Sequence, residues 1–273
     1  SSKERPVAGR PNREPDPKGA VSRPVAELPT NQPQMLITAP QGSDDAPVLS
    51  ARVVNSSSLS SGQSGTMRIA RVEDANIKVD GRVDEAIWSE IPAFDRMTVT
   101  EPDTLEKPSH KTRTRILYTD KGLYVAGEME QPLDTLVERL SSRDESINRD
   151  EVGFAIDSSG KGLYGYFFRL ALGGSKTDGK IAPEDNLTNQ WDGPWIGETA
   201  VTNEGWSSEM FIPWSALSMP DGAMGRQIAI SVLRKVAYMD ETYTWPPLPR
   251  SQARFISAFE PVPVEGVNPK QQW

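Results

Sequence analysis

From residue 67 onward the chain consists of short apolar and polar alternations broken by turn signals, and no segment sustains a 3.6-residue apolar period. Few folds accept such a pattern. Residues 112–118 lead through Thr119-Asp120-Lys121-Gly122 into residues 123–129, which reads as a hairpin with Asp-x-Gly supplying a positive-φ position. Residues 152–157 and 164–170 read as a second hairpin. Residues 206–212 and 227–234 are two further strands, and Pro213-Trp214-Ser215-Ala216-Leu217 turns one helical corner between them, with Pro in its first turn. Regular short strands with turn signals predict an all-β domain, an antiparallel β-sandwich of jelly-roll type.

The first 66 residues differ in kind. They hold nine of the 23 prolines, no aromatic residue, and six serines between Ser56 and Ser64. Such a segment cannot bury enough apolar surface to offset chain entropy, so by itself it is expected to be extended or disordered. Two apolar islands interrupt it, Met35-Leu36-Ile37 and Val48-Leu49 with Val53-Val54, and each could add as a strand to the sheet edge of a partner. We therefore divide the chain into an extended Pro/Ser-rich arm (1–66), a sandwich (67–262) and a short tail (263–273).

Charge and cysteine count narrow the function classes. Residues 67–273 carry 23 Lys and Arg against 32 Asp and Glu, which argues against a nucleic-acid partner because phosphate attraction dominates that affinity. There is no cysteine, so disulfides, thiolate zinc sites and cysteine nucleophiles are excluded. No apolar run approaches the roughly 20 residues that span a bilayer. The chain starts at Ser1 without a charged-then-apolar leader, which reads as a processed start. An extracytoplasmic, periplasmic setting is the expectation, with membrane association through partners or a removed anchor.

One stretch carries a family signal. In residues 77–88, Ile77 and Val79 alternate as in a half-buried strand, Asp80-Gly81 supplies a tight turn, and residues 83–88 read as a short helical turn. Asp84 and Glu85 sit at its dipole-favoured end, and Trp88 is its apolar plug. Four further blocks follow in order: Leu117-Tyr118 with Leu123-Tyr124-Val125; Ser142-Arg143-Asp144 with Arg149-Asp150-Glu151-Val152; Trp191-Asp192-Gly193-Pro194-Trp195; and Gly205-Trp206-Ser207-Ser208-Glu209-Met210 with Ile212-Pro213-Trp214. Together they resemble family-9 carbohydrate-binding modules and their DOMON-like relatives, which also form the N-terminal domain of many bacterial outer-membrane β-barrel proteins. The resemblance spans residues 69–260 and implies the sandwich fold.

Candidate sites follow from these readings. Catalysis is not expected: His110 is the only histidine, no serine sits in a nucleophile elbow, and there is no Gly-rich phosphate loop. Asp144, Asp150 and Asp157 lie in an acidic central block and are candidate ligands for a structural calcium ion, which the resemblance supports; the reading that weighs more is solvated turn carboxylates or partners of arginines, because the spacing is not an EF-hand loop. Trp191 and Trp195, with Gln190 and Asp192 beside them, combine aromatic faces with polar groups and are the candidate sugar-binding segment, core packing being the other reading. Trp245, in the Pro-rich stretch 243–249, is expected to resist strand pairing, and with Trp273 and the arm islands it forms a candidate partner-binding set. The leading expectation is thus a non-catalytic accessory subunit of a membrane-associated complex, strapped on by its arm. The alternative is a carbohydrate-binding module.

Overall fold

The computed structural model describes residue 67, residues 69–220 and residues 226–267. Met35, Leu36, Ile37, Val48, Leu49, Val53, Val54 and Trp273 of the expected partner-binding set lie outside these residues. Two sheets face each other. The five-stranded sheet has the order β1 (Ala70–Arg71), β3 (Thr112–Tyr118), β4 (Gly122–Glu130), β10 (Gly205–Pro213), β9 (Ile196–Thr202), antiparallel except for the short β1–β3 pair. The larger sheet has the order β2 (Thr98–Glu101), β12 (Glu241–Trp245), β11 (Arg226–Val236), β5 (Glu151–Asp157), β6 (Gly165–Ala171), β7 (Lys176–Ala182), β8 (Asn186–Thr188). Its eighth strand, β13 (Glu260–Val264), pairs with the first half of β11 on the edge that β12 uses further along. β13 thus carries the sheet through Val264, and Val267 is buried beyond it.

Period-two alternation explains the layers. Ile116, Leu123, Val125, Met210 and Ile212 point inward from the small sheet and meet Val152, Phe154, Ile156, Phe168, Ile230 and Val232 from the large one. Both hairpins expected from the sequence form, β3–β4 and β5–β6, and Trp214–Ala216 makes the expected corner as a 3-10 turn. Trp214 locks it, because its buried indole N–H donates to Thr119 O at 2.8 Å.

Three local readings are corrected. Gly122 does not adopt positive φ; it is required because a Cβ there would lie 2.4 Å from Ile212 O of β10. The segment around Trp245 does pair, since Glu241–Trp245 is β12, inside the large sheet between β2 and β11. Its prolines begin only at Pro246, so the ladder is complete before they intervene. The ring of Trp245 packs on Phe94 at 4.8 Å and on the core, not outward for a partner. The short helix α1 spans Ala86–Glu90, three residues later than the pattern suggested, with Glu85 at its N-cap.

The stretch 77–88 lies on the outer face of the small sheet. Ile87, Trp88 and Ile91 pack on Leu117 and Ala126 there, a core separate from the one between the sheets. A buried carboxylate ties this cover down. Asp80 N–H and Gly81 N–H donate to Glu209 Oε2 at 3.0 and 3.1 Å, and Trp88 Nε1–H donates to Glu209 Oε1 at 2.9 Å. Ser207 Oγ–H donates to Gly81 O at 2.6 Å. Gly81 has φ +85° and lies so close to β9 that a Cβ would meet the Thr199 backbone at 2.4 Å. The first and last sequence blocks, more than 120 residues apart, are therefore one physical unit. Burial pushes Glu209 up to about 7, against the N–H donors of Asp80, Trp88 and Gly81 and with Glu85 adding repulsion.

Candidate ligand-binding cleft

The outer face of the large sheet carries a cleft of about 540 Å³. Its floor comes from β5, β6 and β11, where outward positions are Ala155 and Gly153, Phe167 and Arg169, and Ser231, Leu233 and Lys235. Gly153 is the dip in that floor. It stands opposite Leu233 on one side and Arg169 on the other, and a Cβ would come within 3.3 Å of Leu233 Cβ. Four segments lend residues to the rim: Thr100 and Glu101 of β2, Ser146 and Ile147 before β5, Asp185 and Leu187 of the β7–β8 hairpin, and the 248–255 segment.

The 248–255 wall has its own anchors. Leu248, Ile256 and Phe259 pack with Ala155, Phe167, Ile181 and Ala229 on the outer face of the sheet. Glu184 Oε2 accepts from Phe255 N–H at 2.9 Å, Ser257 Oγ–H at 2.9 Å and Ser257 N–H at 3.3 Å. The Phe255 amide, then the Ser257 hydroxyl, hold the Glu184 carboxyl below its ordinary value. At the far rim Thr242 Oγ–H donates to Glu101 Oε2 at 2.8 Å, and Arg250 pairs with the same carboxylate. On the floor Arg169 Nη1 donates to Glu151 Oε1 at 3.2 Å. Chemically, an apolar strip is flanked by hydroxyls and ionised groups of both signs.

A second cleft, of about 560 Å³, lies by the β9–β10 turn. Its polar groups already satisfy one another: Arg113 reaches Glu128 at 3.5 Å, Glu130 at 3.1 Å and Glu204 at 3.1 Å. The cleft on the large sheet, with an apolar strip of Ala155, Phe167 and Leu233 on its floor, is the better ligand site.

The expected sugar-binding segment lies on the opposite side of the large sheet. The small sheet is narrower, and the 190–195 segment closes the inner surface that it leaves open near β6 and β7. Trp195 is 6% exposed, edge-on to Phe168 at 5.5 Å, with Lys176 Nζ 5.4 Å from its ring centroid. Trp191 is half-buried against Tyr166 at 4.8 Å and Phe168 at 6.0 Å. Asp192 pairs with Arg143 Nε at 2.9 Å, and Gln190 is exposed. The two indoles thus belong to the core side, which corrects the picture of a two-tryptophan sugar platform; the ring of Trp195 is covered by its neighbours.

The candidate calcium ligands are likewise spoken for, each at a different place. Asp150 is fully buried and accepts from Ala237 N–H at 2.8 Å, Val137 N–H at 2.9 Å and Gln131 Nε2–H at 2.9 Å. Asp157 is fully buried and closes the β5–β6 turn, accepting from Gly162 N–H at 2.6 Å, Ser159 N–H at 2.8 Å and Gly160 N–H at 3.0 Å. Asp144 Oδ1 accepts from Asp178 N–H at 3.2 Å. Among the described residues no three His, Cys, Asp or Glu side chains gather as a metal site. The N–H donors, invisible in the sequence, distinguish a turn carboxylate from a ligand. The one histidine, His110, is hydrogen-bonded by Nε2 to Tyr238 Oη at 2.6 Å, and burial, then Arg234, lowers its pKa.

Sequence reasoning missed the cleft itself. Its residues sit at outward positions of three strands spread over more than 80 residues, and the one available signal was the pair of small residues Gly153 and Ala155 at alternate positions of one strand.

No family model and no curated protein matches the chain. Solved structures do resemble it in fold. A family-9 carbohydrate-binding module from Caldicellulosiruptor kristjanssonii in complex with glucose aligns with TM-score 0.53 at 15% identity, over 74% of this chain and 97% of that one. Its complex with cellotriose aligns with TM-score 0.52 at 15% identity, over 74% and 95%. A candidate carbohydrate-binding protein from Bacteroides uniformis aligns with TM-score 0.58 at 15% identity, over 73% and 99%. The fold is that of a family-9-like module. Among the described residues no helix is long and apolar enough to cross a membrane.

Proposed function

We propose that the domain is a non-catalytic carbohydrate-binding module whose site is the cleft on the outer face of the large sheet. The observation that carries this reading is the cleft's composition. A sugar ring has apolar C–H faces and a girdle of hydroxyls. The Ala155, Phe167 and Leu233 strip with the dip at Gly153 suits the first, and Glu151, Arg169, Lys235 and Glu101 suit the second. The solved neighbours in complex with glucose and cellotriose support the same direction. Among the described residues no tryptophan lines this cleft, so stacking contributes little, and dissociation constants of about 0.1–1 mM, about −4 to −5.5 kcal/mol, are expected. Display outside the cytoplasm belongs to the same proposal, since free glycans are met there.

The test is chemical-shift mapping of the labelled domain during titration with glucose, cellotriose and a panel of acidic and neutral oligosaccharides. Saturable shifts at Gly153, Ala155, Leu233 and Leu248 support the reading. Shifts confined to Trp191 and its neighbours would move the site to the opposite face. No saturable shift with any sugar would remove the function.

A further inference from the structure

The charges on the cleft floor do not balance. Two cations, Arg169 and Lys235, share one carboxylate, Glu151, on the floor, although the domain as a whole is acidic, with 23 Lys and Arg against 32 Asp and Glu in residues 67–273. Glu151 Oε1 lies 3.2 Å from Arg169 Nη1 and its Oε2 lies 3.9 Å from Arg149 Nε. Lys235 stands directly opposite Glu151 on the β5–β11 ladder. Among the described residues the Lys235 side chain has no ion-pair or hydrogen-bond partner.

The surroundings make that excess functional in character. Lys235 is half-buried beside Leu233, with Ser146 and Ile147 at the near rim. The Lys235 ammonium stands on the cleft floor without a hydrogen-bonded counter-ion, and an anionic ligand group would supply one. Asp150, next to Glu151 in sequence, cannot do so, because its carboxylate is turned inward and accepts from Ala237, Val137 and Gln131. Glu101 is taken by Arg250 and Thr242. Lys235 stands opposite Glu151 and Arg169 opposite Gly153 on the strands either side of β5, about 12 Å apart at the backbone, a span within the reach of two long side chains. Arg169 spends Nη1 on Glu151 and is about one-third exposed, which leaves part of its planar fork for a second acceptor. A fork and a point charge facing one position are the groups that recognise a carboxylate.

We propose that the cleft selects an acidic saccharide, a glycan containing uronic acid whose C6 carboxylate sits between Lys235 and Arg169. This inference rests on the carbohydrate reading of the same cleft and adds the ligand class. A matched pair of ligands separates the two ideas: a β-1,4-linked glucuronate trisaccharide and cellotriose, which differ only in the oxidation state of C6.

Titration calorimetry at 50 mM salt should give at least tenfold tighter binding of the glucuronate trisaccharide, with the preference shrinking at 300 mM salt. Lys235→Met should reduce the acidic-to-neutral ratio to within twofold, and Lys235→Glu should invert it. Unchanged thermal melting of both variants confirms that they fold. Equal or better binding of cellotriose by the wild type overturns the acidic preference while leaving the carbohydrate reading intact. Binding of neither ligand overturns the uronate assignment, and the carbohydrate reading then falls only if the whole oligosaccharide panel also fails to bind. A ratio that survives Lys235→Met overturns the assignment to this corner of the cleft.

Discussion

Replacing Glu209 by Gln keeps the shape of the side chain and removes one acceptor from a site that offers three donors. The carboxylate receives Asp80 N–H and Gly81 N–H on one oxygen and Trp88 Nε1–H on the other. The introduced amide can turn its carbonyl toward the two backbone N–H groups, and its NH₂ then faces the indole N–H. One buried donor is lost, at about 1–3 kcal/mol, and the two remaining bonds lose charge assistance. Relief of the buried charge offsets part of this, and the net expected loss is about 2 kcal/mol at about pH 7.5.

Acidity adds a second signature. The ordinary value of 4.5 rises to about 7 in the fold, mainly through burial. A raised folded value means that this stabilisation is fully present below 4.5 and is lost as pH rises through about 7. The ceiling is about 3 kcal/mol at about 1.36 kcal/mol per pH unit. Asp80 and Glu85 at the rim remain partly in water, so about 2 kcal/mol is the working figure. The gap between wild type and Glu209→Gln should therefore widen from about 2 to about 4 kcal/mol between about pH 7.5 and about pH 5. Urea unfolding followed by tryptophan fluorescence across that pH range measures it, and the difference between the two proteins cancels the titrating groups that do not interact with Glu209. A gap that stays constant or narrows toward the acidic end would refute the reasoning.

Two further outcomes are expected. Gly122→Ala drives a methyl group to 2.4 Å from Ile212 O, with β10 backbone rather than a flexible side chain in the way; a loss of about 2–4 kcal/mol should appear in thermal or urea melts, and a loss below about 0.5 kcal/mol would mean that the strands slide apart freely. Trp195→Ala removes a core ring packed on Phe168, so it should cost about 3–5 kcal/mol of stability; sugar affinity measured on the folded fraction should stay within threefold, and a selective loss of binding without destabilisation would return Trp195 to the ligand site.

How much of this was legible beforehand depended on distance along the chain. The β3–β4 and β5–β6 hairpins were, because a turn and two alternating arms are neighbours in sequence and need no distant partner to be recognised. The plug role of Trp88 was legible for the same reason, though its covered surface proved to be the outer face of the small sheet. The strand character of Glu241–Trp245 was masked by the prolines that follow it. Trp191 and Trp195 were ambiguous in principle, since an aromatic ring in a loop serves a core or a sugar equally well until its neighbours are known.

The sequence by itself determined the class of fold, because period-two alternation reports which side chains share a face, and that is a local property of the pleat. It could not report what lies across that face. Only the tertiary structure decided that Glu209 joins Asp80, Gly81 and Trp88, that Gly122 yields to β10, and that Asp150 and Asp157 spend their carboxylates on backbone N–H groups. It also decided that Gly153, Arg169 and Lys235 meet on one floor, since adjacency between strands is set by pairing over long chain separations and leaves no trace in the alternation of any single strand.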